Sequence, residues 1–347
     1  MNLGACDPID GPGPFPEHQP EKHVVRNRLR SRLLLRSFVV LAFGWGAALA
    51  CAAAEGGAIA GIVEGTVVLI RQTMRYAVAE GVVFRAQDIV ETEPGAFVQI
   101  EFEDGAIVGL AEGSRAILQP QLTRIKLENA PRLYLLGGWL KVTPAAKPDA
   151  TFDFLTPRLE IATQAATMVT LSKDNEYAVF VESGNARLVE RDGSKSSMSL
   201  RAGEFGARAA ATDKPTVQPR VAPDFLARMP RLFRDRLPSR AAALAKRSVE
   251  AKPLEEVSYA DVSHWLHTEP PIRLPLSRQW RSRVTDKRFR SEIVANLGAH
   301  MEWERVVFPE RFIVKKKPPV ASAPQPAVPD GALYPASPAS AASGPVN

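Results

Sequence analysis

The stretch Thr92–Leu118, "TEPGAFVQIEFEDGAIVGLAEGSRAIL", alternates apolar and polar residues on both sides of one acidic corner that carries a glycine. Such alternation marks strands with two distinct faces, and the corner reads as a hairpin turn. Two registers compete. If Asp104-Gly105 alone forms the loop, Phe102 faces Ile107, while Val108 and Leu110 share a face with Glu101 and Gln99. If the loop is Glu103-Asp104-Gly105, Val98 pairs with Leu110, Ile100 with Val108 and Phe102 with Ala106. The second register gathers Val98, Ile100, Phe102, Val108 and Leu110 on one face. It also puts glycine at the left-handed last position of the loop. Because a slip of one residue turns a whole strand over, the hydrophobic match selects this register. Glu101, Glu103 and Asp104 are then expected on a solvated edge. A calcium loop would need oxygen ligands at alternate positions around the turn, and this stretch lacks them; no metal is expected.

Outward from the corner the same texture continues. "GTVVLI", "RLYLL", "LKV", "FDFL", "LEIAT", "MVTLS", "YAVFV" and "ARLVE" are short β-branched and aromatic runs separated by Gly, Pro, Asp or Asn. Strands at this spacing predict a sandwich, barrel or solenoid rather than βαβ units. No glycine-rich phosphate loop lies between a strand and a helix, so nucleotide folds have no support.

The order of these signals, from "GTVVLIR" through "EGVVFRAQDIVETEPGAFVQIEFEDGAIVGLAEGSRAIL", "LLGGWLKV", "FLTPRLEIAT" and "YAVFVESGNARLVERDGSKSSMSLRAGE", resembles the FecR domain. Asp88 and Thr92 match that family's Gly-Asp step leading to Thr, with Gln87 in place of the glycine. Asp104 and Gly105 match its Asp-Gly-Ser strand end, with Ala106 in place of Ser. Thr156-Pro157, Gly184 and Gly203-Glu204 match the later elements, whereas "QAATMV" stands where Gly-Thr is usual. The resemblance covers roughly 150 residues, under half the chain. It implies a mainly β fold, a FecR-like sandwich or solenoid-type domain with structural turns at Asp104, Gly105, Gly184 and Gly203. It also implies an envelope signal relay, whose periplasmic part senses the signalling domain of an outer-membrane receptor while a cytoplasmic domain controls a sigma factor. Here only about 36 residues precede the apolar segment, proline-rich then basic, with no helical pattern long enough for an anti-sigma domain. The expectation is an exported β module kept for recognition, relay or scaffolding.

Export is read from Arg26–Glu55. "RNRLRSRLLLR" is positive, "SFVVLAFGWGAALA" is apolar, and "CAAAE" places Ala52 and Ala54 before a cut between Ala54 and Glu55. This is the plan of a secretory signal peptide, and a periplasmic location follows. The rival reading is an uncleaved inner-membrane anchor facing the periplasm, since Ser37–Ala54 is at the short end of a bilayer span. Cys6 and Cys51, the two cysteines of the chain, both precede the cut. The mature protein then has no thiol, which removes disulfide scaffolds, thiol catalysis and cysteine metal sites together.

Beyond the β runs, "TDKPTVQPRVAP" (212–223) reads as a linker and the period changes. Phe225, Leu226, Met229, Leu232 and Phe233 fall on one helical face, interrupted by Pro230. Ser258 is set to cap a helix carrying Val262, Trp265 and Leu266, and Thr285-Asp286 starts another with Phe289, Ile293 and Leu297. The division expected is leader 1–54, β domain 55–211, linker 212–223, small basic α-helical domain 224–313 and a disordered Pro/Ala-rich tail 314–347. Residues 55–223 hold 18 Lys/Arg against 21 Asp/Glu, and 224–317 hold 20 against 12. The acidic β edge is therefore a candidate docking partner for the basic part.

His264, His267 and His300 with Glu302 suggest a zinc set, but no clear third ligand joins the helical pair. Trp265, Trp280 and Trp303 lie among arginines; they suit stacking on a ligand, and more often form the core of a small helical unit. The resulting expectation is a non-enzymatic exported module without cofactor, binding an envelope protein or a cell-wall or anionic polymer. Nucleic acid is excluded by export, and membrane contact requires an uncleaved leader. The alternative is a polysaccharide-processing hydrolase using Glu101 and Glu103, or Asp153 and Glu160. Such a pair must face one cleft about 5–10 Å apart, so a concave, carboxylate-lined pocket would be its sign. N-terminal sequencing of the exported protein should begin at Glu55; retention of Arg26–Arg36 would instead establish the anchor.

Overall fold

The computed structural model describes residues 57–312 except 128, 195, 211, 212, 237, 245 and 248. The cleavage site at Ala54 and Glu55, both cysteines and the tail from 314 lie outside the described residues. The protein is mainly β, with sixteen strands in one mixed hydrogen-bonded sheet and a set of short helices after them.

Strands Phe97–Phe102 and Ile107–Leu110 form the expected hairpin, with Val98 opposite Leu110 and Ile100 opposite Val108. The Phe102 N–H donates to Ala106 O at 2.9 Å, and Gly105 takes φ +90. Asp104 Oδ1 accepts from the Ala106 N–H at 3.1 Å. Its Oδ2 takes the Arg132 guanidinium at 2.6 Å, while that same guanidinium lies 4.4 Å from the centre of the Phe102 ring. Packing of Val98, Ile100, Phe102, Val108 and Leu110 into one core selects the register.

Runs that look separate in the sequence are long continuous strands. Leu133–Thr143, Leu159–Lys173 and Glu176–Glu190 each serve two halves of the sheet. The start of Leu133–Thr143 pairs with Arg115–Leu118, and its end pairs with Ile107–Leu110. At the crossing, Gly138 has φ +99 and a Cβ there would lie 2.4 Å from Ser114 Cα. Leu159–Lys173 and Glu176–Glu190 change register near Gln164–Met168, where Ala165 (φ +47) faces Gly184 (φ +75). Bulges at such points bend strands and let a sheet fold over. The fold-over encloses the main core of Val67, Leu69, Val98, Ile100, Leu133, Leu140 and Ile161.

Both outer faces of the folded sheet are apolar too. On one, Val68, Ile70, Ile89, Ile117, Tyr134 and Leu155 meet Trp265, Trp280, Phe289 and Trp303. These come from helices α4 (Tyr259–Leu266) and α6 (Lys287–Ala295), from Trp280 at the end of α5 (Pro270–Gln279), and from the 3-10 turn Met301–Trp303. Ser258 caps α4 as a capping box with Asp261, and Asp286 caps α6 through the Phe289 N–H. On the other face, Phe97, Val169 and Phe205 are covered by Phe225, Met229 and Phe233. That covering strap is α1 (Pro223–Arg228) and α2 (Arg231–Arg234), split at Pro230, and the short helix α3 (Ala241–Leu244) follows it. The single face expected there is incomplete, because Leu226 is left exposed.

The stretch 224–313 expected as a separate helical unit, described as far as 312, thus builds its cores with side chains of the sheet. They also contain a strand, Lys252–Glu256, antiparallel to Met74–Ala77. Within the expected linker, Thr216–Gln218 pairs with Phe205–Arg208. Both are edge strands, and Pro215, Pro219 and Pro253 are at or in them, as suits backbone that must not recruit a further strand.

Gly105→Val should cost about 1–2 kcal/mol through the left-handed backbone alone, since the nearest atom to a Cβ there is 4.0 Å away. Gly184→Ala should cost more, because its Cβ would stand 2.3 Å from Ala165 O. Thermal melts of the full chain order the two; equal melting temperatures for Gly105→Val and the parent would contradict the turn.

Candidate functional site

The residues that match the FecR pattern fasten backbone. Asp88 accepts from Arg71 Nη2 at 2.6 Å, from Arg71 Nε at 2.9 Å and from the Arg85 N–H at 2.8 Å. Gln87, beside it, occupies the left-handed region at φ +69, which is where glycine is at ease. Thr92 Oγ1 donates to Ala111 O and accepts from the Ser114 N–H at 2.9 Å. Thr156 Oγ1 accepts from the Leu159 N–H at 2.9 Å, closing the Thr-Pro turn. The Gly203 N–H donates to Val181 O at 2.8 Å, and Glu204 accepts from the Arg201 N–H at 2.8 Å. Each of these groups ties a turn to a strand.

Glu101 departs from the solvated edge expected for it. It is 2% exposed and reaches across to the C-terminal part. Its carboxylate accepts from Ser239 Oγ at 2.5 Å, from the Arg240 N–H at 2.8 Å, from the Ala241 N–H at 3.1 Å and from Gln99 Nε2 at 2.8 Å. Burial pushes this carboxyl up, but the hydrogen bonds from Ser239, Arg240, Gln99 and Ala241 together hold it below the usual range. Beside it, Arg240 Nη1 pairs with Glu80 at 2.7 Å. The acidic β edge does hold the basic segment. No local signal could have revealed this, because Ser239 lies 138 residues from Glu101.

Glu103 is exposed at the turn. Asp153 accepts from Asn129 Nδ2 at 2.7 Å and shares with Glu160 a depression of only about 20 Å³. That is room for about one water, and no sugar ring enters it. His264 Nε2 contacts Glu91 Oε1 at 2.7 Å, His267 Nδ1 contacts Ser263 O at 2.6 Å, and His300 Nε2 contacts Tyr259 Oη at 3.0 Å. Trp265, Trp280 and Trp303 are fully buried in the core against the sheet. Trp265 Nε1 donates to Glu91 at 2.7 Å and Trp280 Nε1 to Gln72 O at 2.8 Å, so two indoles tie helices to strands. Burying about 150–250 Å² per indole at about 25 cal/mol/Å² is worth about 4–6 kcal/mol each before ordering costs.

The strap leaves a groove of about 450 Å³ between itself and the sheet. Phe97, Ile107, Leu232 and Phe233 supply apolar wall. Lys141 and Glu182, paired at 2.9 Å, supply charge on its floor, and Lys141 also donates to Phe233 O. Asp235 and Arg236 stand on the strap side. The size suits a small ligand or a short segment of chain, with few convergent polar groups on an apolar lining. Sequence reading missed Lys141 and Glu182, which lie on different strands with nothing local to link them.

Because the folded Glu101 carboxyl titrates below an unfolded one near pH 4.3, its contribution is full above that value and is lost as pH falls through the folded value. Glu101→Gln, which turns an amide toward backbone donors, should cost about 1–3 kcal/mol at pH 7. The same variant should lose less stability than the parent between pH 5 and pH 3. Denaturant melts at both pH values test this, and parallel acid losses in the two proteins would refute it.

No family model matches the chain, and no curated protein matches it. Among solved structures it is similar to two crystal structures of a "putative anti-sigma factor" from Parabacteroides distasonis. The first is 17% identical with a TM-score of 0.32, over 40% of this chain and 63% of that one. The second is 16% identical with a TM-score of 0.33, over 40% of this chain and 62% of that one. The chain therefore spans less than two thirds of either matched chain.

Proposed function

We propose that this is a non-enzymatic FecR-like recognition module of the cell envelope, exported to the periplasm, which serves signal relay or scaffolding by binding an envelope protein or polymer. The observation that carries the reading is the groove under the strap, where an apolar wall and the Lys141–Glu182 pair meet on the β surface. The FecR-like motif residues support it from the other side, since their side chains are spent on turns. The carboxylate pairs offered for hydrolysis are likewise spent, Glu101 on the Ser239–Ala241 segment and Asp153 beside a depression too small for a sugar.

Full-length mature protein is the right bait, because a fragment ending at 223 would bare the faces around Ile70, Tyr134 and Phe97. Thr143→Trp narrows the groove from a half-buried position at its rim. Capture of an envelope component by the parent and its loss in Thr143→Trp, at an unchanged melting temperature, is the expected result. Equal capture by both proteins would remove the groove from the function. Polysaccharide cleavage abolished by Asp153→Asn would replace this reading with the hydrolase.

A further inference from the structure

A second groove lies away from the strap, where the hairpin turn at Gln72-Thr73 meets α5. Its volume is about 740 Å³. Three guanidiniums line it, from Arg71, Arg85 and Arg278, against one carboxylate, Asp88. Arg71 is matched to Asp88 at 2.6 Å. Arg85 and Arg278 are exposed and have no ion-pair partner among the described residues. The groove is therefore two positive charges in excess.

Its remaining lining is mostly amide and hydroxyl, with Met74, Ala86 and Pro275 as the aliphatic members. Gln72, Gln87, Gln121 and Gln279 contribute side-chain amides, each able to donate and accept, and Tyr76 presents a half-buried ring. Gln72 and Gln87 hold left-handed backbone, at φ +55 and +69. Glycine would be unstrained at both positions, yet both carry a side chain that lines the groove. Strain retained in this way points toward a use for the side chain. The walls are also fastened to each other, since Gln72 O accepts from Gln279 Nε2 at 3.1 Å and from Trp280 Nε1 at 2.8 Å. The backbone of the turn is thus tied to the opposite wall.

We propose that this groove binds an acidic oligosaccharide, a segment of polymer whose sugar units carry carboxylates. Arg85 and Arg278 take the carboxylates, and the four glutamine amides take hydroxyls as both donors and acceptors. A lipid tail or an apolar peptide finds only the small wall of Met74, Ala86 and Pro275 here. The proposal rests on the reading of the chain as an exported binding module, at a site separate from the strap groove.

Isothermal titration of the purified mature chain with short oligogalacturonates, against neutral gluco-oligosaccharides of equal length, tests it. The acidic oligomer should bind and the neutral one should bind more weakly by about tenfold or more. Arg85→Gln and Arg278→Gln should each weaken the acidic oligomer by about tenfold at an unchanged melting temperature. Gln87→Gly should weaken it while leaving the melting temperature equal or higher, which a purely structural residue would not do. Binding should also fall as salt rises. Thr143→Trp should bind the oligomer as the parent does, so failure of the strap-groove reading and failure of this one are told apart. The proposal is overturned if the acidic oligomer does not bind, if it binds the arginine variants as well as the parent, or if Arg278-dependent retention is seen only on anionic phospholipid vesicles.

Discussion

Strand Val67–Arg71 buries Val67 and Leu69 in one core and Val68 and Ile70 in another, and this two-sided burial is the constraint from which the remaining architecture follows. A sheet with one wet face can stand after its last hairpin. This one cannot, because Tyr134 and Leu155 on one side and Phe97 and Phe205 on the other would meet water. The C-terminal third answers that need twice. The strap closes one face with phenylalanine and methionine, and the tryptophan-bearing helices close the other.

Charge decides where those covers sit. Glu80 and Glu101 receive the segment at Arg240, while Glu91 receives His264 and Trp265. Arg191 reaches the other way to Glu269 at 2.7 Å, and Arg75 reaches Glu255 and Asp261. Apolar area supplies most of the attraction but tolerates sliding; the half-buried ion pairs and backbone-directed carboxylates fix position. The acidic bias of the strands and the basic bias of the helices are two sides of one internal interface.

The hairpin register was legible in the sequence, because a two-residue period punishes a slip at every position. The caps at Ser258 and Asp286 were legible as well, since a cap and its donors lie within one turn. The three tryptophans read more often as core than as a stacking surface, and they are core, but against the sheet rather than within a helical unit of their own. Long strands were not legible as such: glycine at 138 and 184 reads as a break, and only the opposing strand shows that it is a crossing or a bulge. Strand Lys252–Glu256 carries no β pattern and exists because Met74–Ala77 has a free edge. The fate of Glu101 was hidden for the same reason, its partners being distant in sequence.

That edge strand also sets a timetable. Arg75 and Glu255, joined across it, are 180 residues apart, so a chain emerging from its N-terminus presents Met74–Ala77 long before its neighbour exists. Closing so long a loop costs entropy that no early contact returns, and topologies dominated by such contacts form slowly. Until residues 259–307 arrive, Ile70, Ile89 and Ile117 stand uncovered beside unpaired backbone, the condition in which partly folded chains adhere to one another. Safe passage from synthesis to the finished molecule is therefore a matter of holding the first half apart from its copies until the second half is delivered.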